Sequence, residues 1–125
     1  MTNKLQHEIP DLTAVLPQSK RFKVGNKEYD LIFRYGEIAK LEQIYDSVGD
    51  AIEAIYDPKR SYKAVLDFLY VGLGEKYGLT MQDIEEWVGL GTAVLLREIV
   101  IEALMLSYGK SQTDGDQADN NTGEI

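Results

Sequence analysis

The sequence has no cysteine and a single histidine. The absence of cysteine excludes disulfides, thiolate catalysis and cysteine-ligated metal sites. His7, the single histidine, lies in a polar N-terminal segment where we expect it to be solvated. A zinc site of the HExxH type needs a second histidine, and a Ser-His arrangement would have to recruit this residue from a flexible segment. Most of the residue chemistry on which enzymes depend is therefore missing.

Basic residues and long apolar runs are also scarce. The chain has 13 Lys and Arg against 21 Asp and Glu, a formal net charge of −8. Phosphate binding needs clustered cations, so this charge argues against nucleic acid as a partner. No stretch approaches the roughly 18 apolar residues that span a membrane, and the first residues contain no apolar run suited to a signal peptide. We expect no membrane association and an intracellular location.

The glycine-containing segments and the carboxylates do not form recognisable catalytic patterns. In GLGEKYG, residues 72–78, the third glycine is one place too late for a dinucleotide fingerprint, and a helix precedes it instead of a strand. Helix breaks explain these glycines. Glu98 and Glu102 lie one helical turn apart, among positions expected to be exposed, where a solvated face is the better interpretation than an acid-base pair. We expect no catalytic, metal-binding or cofactor-binding residues, and a protein that is not an enzyme.

The patterns that are present indicate one domain with polar ends. Residues 1–19 are interrupted by prolines and predict a flexible N-terminal arm. The segments RFKV and EYDLIF flank Gly25-Asn26-Lys27, which predicts a β-hairpin with a tight loop. Residues 20–108 are expected to form a single α+β domain. Residues 109–125 predict a disordered acidic tail, since they contain too few apolar residues to offset the entropy of ordering.

Helical spacing follows the hairpin through the rest of the domain. The predicted helices are Tyr35–Val48, AIEAIY after a cap at Asp50, a central helix opened by Ser61, MQDIEEW capped by Thr80, and AVLLREIVIEALMLSY capped by Thr92. The predicted fold class is α+β, mostly helical, with an N-terminal β-hairpin packed on a bundle of about four helices.

The junction between the hairpin and the first helix is unusually short. In YDLIFRYGEIAKLEQIY, residues 29–45, apolar residues first alternate as in a strand and then recur at three- and four-residue steps as in a helix. Only Gly36 lies near the point where the pattern changes. We expect the apolar residues of this segment to fix the hairpin onto the first helix. Gly36 is expected to permit the close approach of the two elements.

The last helix is apolar around nearly its whole circumference. Such a helix is either buried in the domain centre or shared with a partner, and the sequence leaves both alternatives open. If it is shared, the candidate interface residues on it are Leu95, Ile99 and Leu106. Trp87, just before the GLG break, is either a buried anchor for that loop or a binding hot spot.

The order of elements resembles that of the tail assembly chaperones of long-tailed bacteriophages and prophages. The resemblance lies in the strand, aromatic-Gly and helix pattern of residues 29–42, in the helix VLDFLYVGLGEKY, and in the GLTMQDIEE step. Together with the intervening helix, these segments involve about two-thirds of the chain.

The resemblance implies a specific role without catalytic residues. Such chaperones keep the long helical tape-measure protein soluble, recruit tail-tube subunits, and are absent from the finished virion. In several of these families a ribosomal frameshift appends a second domain. The expected location is the cytoplasm of the bacterial host, and we expect the protein to self-associate as a homo-oligomer. The alternative is a structural virion component, such as a head-tail joining or minor tail protein.

Overall fold

A computed structural model of the chain describes residues 9–107. The first eight residues, which include His7 and the beginning of the predicted arm, and residues 108–125, which include the predicted acidic tail, lie outside the described residues. The described part of the arm contains a short 3₁₀ turn, Thr13–Val15, that buries no residue. The arm is joined to the domain where the Gln18 amide donates a hydrogen bond to the Leu106 carbonyl at 3.0 Å.

The predicted hairpin forms between β1, Lys20–Val24, and β2, Lys27–Leu31. The two strands are antiparallel, and Val24 pairs with Lys27 across a turn of Gly25 and Asn26. Gly25 has a φ of 64°, a left-handed conformation that glycine adopts without steric cost. The loop is therefore one residue shorter than the sequence predicted, because Lys27 completes the ladder instead of belonging to the turn.

Five α-helices follow the hairpin within the described residues, and with it they confirm the α+β, mostly helical prediction. Their bounds are α1 Tyr35–Ile44, α2 Val48–Tyr56, α3 Ser61–Tyr77, α4 Met81–Glu85 and α5 Leu90–Ser107. None of these helices is both long enough and apolar enough to cross a membrane.

The capping residues explain where the helices start and stop. The Thr80 hydroxyl accepts from the Asp83 amide, and the Asp83 carboxylate accepts from the Thr80 amide, so the predicted capping box at α4 is confirmed. Gly78 ends α3 with a φ of 68°. The prediction that the first helix runs to residue 48 was wrong, since Ser47 accepts from the Asp50 amide at 3.0 Å and starts α2 there.

The caps predicted at Asp50, Ser61 and Thr92 were wrong. Asp50 lies inside α2, whose N-cap is Ser47. Ser61 is the first residue of α3, and the preceding N-cap residue is Arg60. Helix α5 begins at Leu90, two residues before Thr92. The Thr92 hydroxyl instead holds the preceding loop, because it donates to the Trp87 carbonyl at 2.7 Å and accepts from the Gly89 amide at 2.8 Å.

Helix α3 is the centre of the core. It packs against β2 and against all four of the other helices, and ten of its residues are buried. One of them is Asp67, which is only 4% exposed. Its carboxylate accepts from the Tyr45 hydroxyl at 2.8 Å and from the Lys63 ammonium at 3.0 Å. The carboxylate is thereby paired, as a buried charge must be.

The hairpin lies on α3 and α5, not on the first helix as predicted. Strand β2 packs against α3 and β1 packs against α5. The close approach occurs at Gly72 of α3, where an added Cβ would overlap the Leu31 side chain. Around Gly36 there is nothing within 4 Å of such a Cβ, and the preceding residue Tyr35 is 86% exposed. The role expected for Gly36 therefore belongs to Gly72.

Candidate protein-interaction surface

The polar side chains of the described residues are mostly engaged in structural pairs. The Asp30 carboxylate contacts Arg21 at 3.0 Å, and Lys40 contacts Glu75 at 2.6 Å. The Arg21 side chain holds the pKa of the Asp30 carboxyl below its usual range, mainly through a hydrogen bond. No three His, Cys, Asp or Glu residues within 9–107 are placed to hold a metal ion. These pairs serve the fold and offer no reactive arrangement.

Two shallow apolar hollows lie beside α5. The first measures about 230 Å³ and lies between the starts of α3 and α5, where Tyr62, Val65 and Val94 line it. The second measures about 260 Å³ and lies between α1, α2 and the end of α5, where Ile38, Ile52 and Leu104 line it. A small-molecule site needs several convergent polar groups, and neither hollow provides them.

Two of the polar side chains that line these hollows, Ser107 and Arg97, have partners within the fold. Ser107 donates to the Ala103 carbonyl at 2.7 Å and accepts from the Phe33 amide at 3.0 Å. The Arg97 Nε donates to the Ile55 carbonyl at 3.1 Å, and its guanidinium lies over the Tyr56 ring. The hollows are therefore suited to apolar contact and not to polar recognition.

Helix α5 is buried on one side only. Leu96, Val100 and Ala103 are its buried residues, and they recur at the three- and four-residue steps that place side chains on one side of a helix. The helix packs with this side against α3. Most of the rest of its circumference is also apolar, and the elements within residues 9–107 leave part of it exposed.

The opposite side of α5 carries a continuous exposed surface. Each member has another member three or four residues away, so they are neighbours on the helix. We name this surface the outward face of α5, and its exposed residues are Leu90, Val94, Leu95, Glu98, Glu102 and Met105. Four of the six are apolar, and their exposed fractions range from 52% at Met105 to 101% at Leu90. Exposed apolar side chains gathered on one side of a helix make this face a candidate interaction surface.

The charges on the outward face are all negative. Glu102 contacts the Lys20 ammonium of β1 at 2.7 Å, whereas Glu98 makes no ion pair within the part of the chain that the structure describes. Arg97 is the sole cation in α5, and its side chain turns away toward α2. The face therefore combines apolar contact with a free carboxylate.

The four predicted interface residues do not lie together. Leu95 is 58% exposed and belongs to the outward face. Ile99 is partly buried against the core, and Leu106 is partly buried where the N-terminal arm joins the domain. Trp87 packs against Phe22 and Tyr29 with ring-centroid distances of 6.1 and 5.1 Å, the position of a loop anchor. Their participation in an interface stays a prediction, with Leu95 the most accessible.

Three residues of the outward face were not singled out from the sequence. They are Leu90, Val94 and Met105. Leu90 was missed because GLG was interpreted as a break and the helix was expected to begin after Thr92. The signal was present in the four-residue step from Leu90 to Val94, which continues to Glu98.

No protein-family model, curated protein sequence or solved structure matches this chain.

Proposed function

We propose that this protein is a non-enzymatic assembly chaperone for the tail of a long-tailed bacteriophage or prophage. In this role it acts in the host cytoplasm, keeps the helical tape-measure protein soluble and brings it together with tail-tube subunits. The partner helix lies on the outward face of α5. The sequence resemblance is the source of the biological role, and the exposed apolar surface of α5 supports the mode of binding.

The observation that carries the proposal is the presence of four exposed apolar side chains on one side of an 18-residue helix. A chaperone for a helical protein needs such a face, because amphipathic helices bind by laying their apolar side onto another apolar surface. The net charge of −8 keeps the remaining surface well solvated. An acidic exterior with one apolar face allows the protein to remain dispersed until its partner binds.

Co-expression with the partner is the direct test. We expect the gene of this chain to lie beside a very long reading frame for a helix-rich protein, the tape-measure protein. Co-expression with the wild-type chain should raise the soluble fraction of that protein and allow the two to be purified together. Leu95→Asp should abolish both effects, because it replaces an exposed apolar side chain of the outward face with a charge.

The matched control is Tyr35→Asp, which makes the same kind of change at an exposed site in α1, 86% exposed and outside the outward face. This variant should behave like the wild type. Mass spectrometry of finished particles provides a second measurement, since a chaperone should be missing from them. Recovery of the chain in stoichiometric amounts from purified virions would contradict the proposal and identify a structural component instead.

A further inference from the structure

We infer that the outward face of α5 binds a basic amphipathic helix from another protein and does not bind a second copy of this chain. The inference rests on the proposed function, because it specifies the chemistry of the helix that the same face would hold. It depends on three properties of the face: its length, its apolar content and the sign of its charges.

The dimensions of the face suit one partner helix. Leu90 and Met105 are separated by 15 residues of continuous helix, which correspond to about 22 Å at a rise of 1.5 Å per residue. A partner helix of about four turns covers this length. Apolar side chains lie at both ends of the face, so the partner needs apolar residues at both ends of its contact and not a single anchor.

The negative charges of the face favour basic residues beside the apolar residues of the partner helix. Glu98 and Glu102 lie between the apolar ends, and only Glu102 has an ion-pair partner among the residues described. Arg97 cannot compensate Glu98 on this side, since its guanidinium lies over the Tyr56 ring of α2. Lysine or arginine at these positions would meet the carboxylates, whereas acidic residues there would be repelled.

The same charges disfavour a second copy. Two copies that met through this face would form an isologous contact, in which the same residues of both copies lie at the centre. Glu98 lies at the middle of the face and Glu102 lies between it and Met105, so the two copies would bring their Glu98 carboxylates together. The face supplies no cation of its own to separate them, and Lys20 is already in contact with Glu102. A basic partner avoids this repulsion.

Synthetic helices test the charge preference directly. Two peptides of about four turns carry the same leucine stripe, flanked by lysines in one and by glutamates in the other. A third peptide has the composition of the lysine peptide in a scrambled order that has no stripe. We expect the full-length protein to bind the lysine peptide at least about tenfold more tightly than either of the others at low salt, measured by calorimetry.

Charge variants locate the preference on the outward face. Glu98→Lys should weaken binding of the lysine peptide about threefold to tenfold and strengthen binding of the glutamate peptide. Glu42→Lys on α1 changes the net charge by the same amount at another exposed position, and it should leave the preference nearly unchanged. If Glu42→Lys and Glu98→Lys have equal effects, the attraction is that of the whole acidic molecule and the inference is overturned.

Sedimentation of the free protein tests the second half of the inference. We expect the wild-type protein to form no dimer through the outward face. A concentration-dependent dimer that Leu95→Asp abolishes would overturn the inference.

The outcomes also separate this inference from the proposed function. If tape-measure binding is lost in Leu95→Asp but unchanged in Glu98→Lys, the function stands and the inference fails. If the lysine peptide binds as expected but the tape-measure protein does not, the inference stands and the function fails.

Discussion

At the scale of single residues, Gly72 connects the hairpin to the central helix. It lies in the middle of α3, and a Cβ at this position would overlap the Leu31 side chain. Leu31 is fully buried, so its side chain has no free space into which it can move. The packing of β2 on α3 therefore requires a residue with no side chain at position 72.

This requirement predicts opposite effects at two helical glycines. Gly72→Ala should lower the free energy of unfolding by about 1–2 kcal/mol, because overpacking outweighs the better helix propensity of alanine. Gly36→Ala should raise it by up to about 1 kcal/mol, since nothing lies within 4 Å of the added Cβ. Urea denaturation measures both values. A Gly72→Ala protein as stable as the wild type would show that the Leu31 contact is loose.

A second prediction concerns Tyr45, whose hydroxyl donates to the buried Asp67 carboxylate. Burial raises the pKa of Tyr45, and the hydrogen bond and charge of Asp67 raise it further. When the protein unfolds, the tyrosine returns to an ordinary pKa of about 10. The unfolded chain therefore loses this proton first, so the contribution is fully present below about pH 10 and is lost as the pH rises through the folded-state pKa.

The variant Tyr45→Phe removes this titration. It should cost about 1 kcal/mol at neutral pH through loss of the hydrogen bond. Between about pH 9 and pH 11 its stability should fall less than that of the wild type, because the other titrating groups are the same in both proteins. The measurement is urea denaturation across this range. Parallel losses in the two proteins would mean that Tyr45 ionises equally well in the folded state.

At the scale of elements, α5 has two sides in different environments. Its buried side belongs to the core through Leu96, Val100 and Ala103, and its outward face is exposed. Burial in the core therefore applies to one side of the helix, and contact with a partner stays a prediction for the other side. The structure separates residues that the sequence pattern placed in one group.

This separation gives different expectations for two neighbouring substitutions. Leu95→Asp should change the free energy of unfolding by no more than about 0.5 kcal/mol, because the side chain is already exposed. Ile99→Asp should cost about 2–4 kcal/mol, since Ile99 packs against the core and a carboxylate there is partly desolvated. Thermal unfolding followed by circular dichroism measures both. If Leu95→Asp unfolds as readily as Ile99→Asp, the outward face is part of the core.

The sequence was sufficient for several features that depend on local signals. The presence of the hairpin, the Thr80 capping box and the Gly78 helix end were predictable because each depends on residues close together in the chain. The caps expected at Asp50, Ser61 and Thr92 show that a suitable residue type does not by itself decide where a helix begins. The position of the hairpin was not, because it depends on Gly72, more than 40 residues from β2. The exposed side of α5 was hidden for a similar reason, since an all-apolar helix has no pattern that distinguishes a packed side from an uncovered one.

At the scale of the whole molecule, distant segments meet in one aromatic cluster. Tyr29 of β2 lies 5.1 Å from Trp87 in the loop before α5 and 4.9 Å from Tyr77 at the end of α3. The Tyr77 hydroxyl also accepts from the Asp30 amide at 2.9 Å. An isolated hairpin is marginally stable in water, so β1 and β2 depend on these contacts for their structure.

This dependence predicts that the hairpin and the helices unfold together. Trp87 is the sole tryptophan, and it contacts the hairpin residues Phe22 and Tyr29. Its fluorescence therefore reports whether the hairpin is docked, while far-ultraviolet circular dichroism reports mainly the helices. In urea the two signals should change with the same midpoint, as in a two-state transition.

Gly72→Ala strengthens this test, because it loosens the contact between hairpin and helices directly. If the molecule is one cooperative unit, the substitution should move both midpoints to lower urea by the same amount and leave them coincident. A fluorescence midpoint below the circular dichroism midpoint would show that the hairpin leaves first. The helices would then be stable without it, and the single hydrophobic core inferred from the packing of α3 would have to be divided into two units.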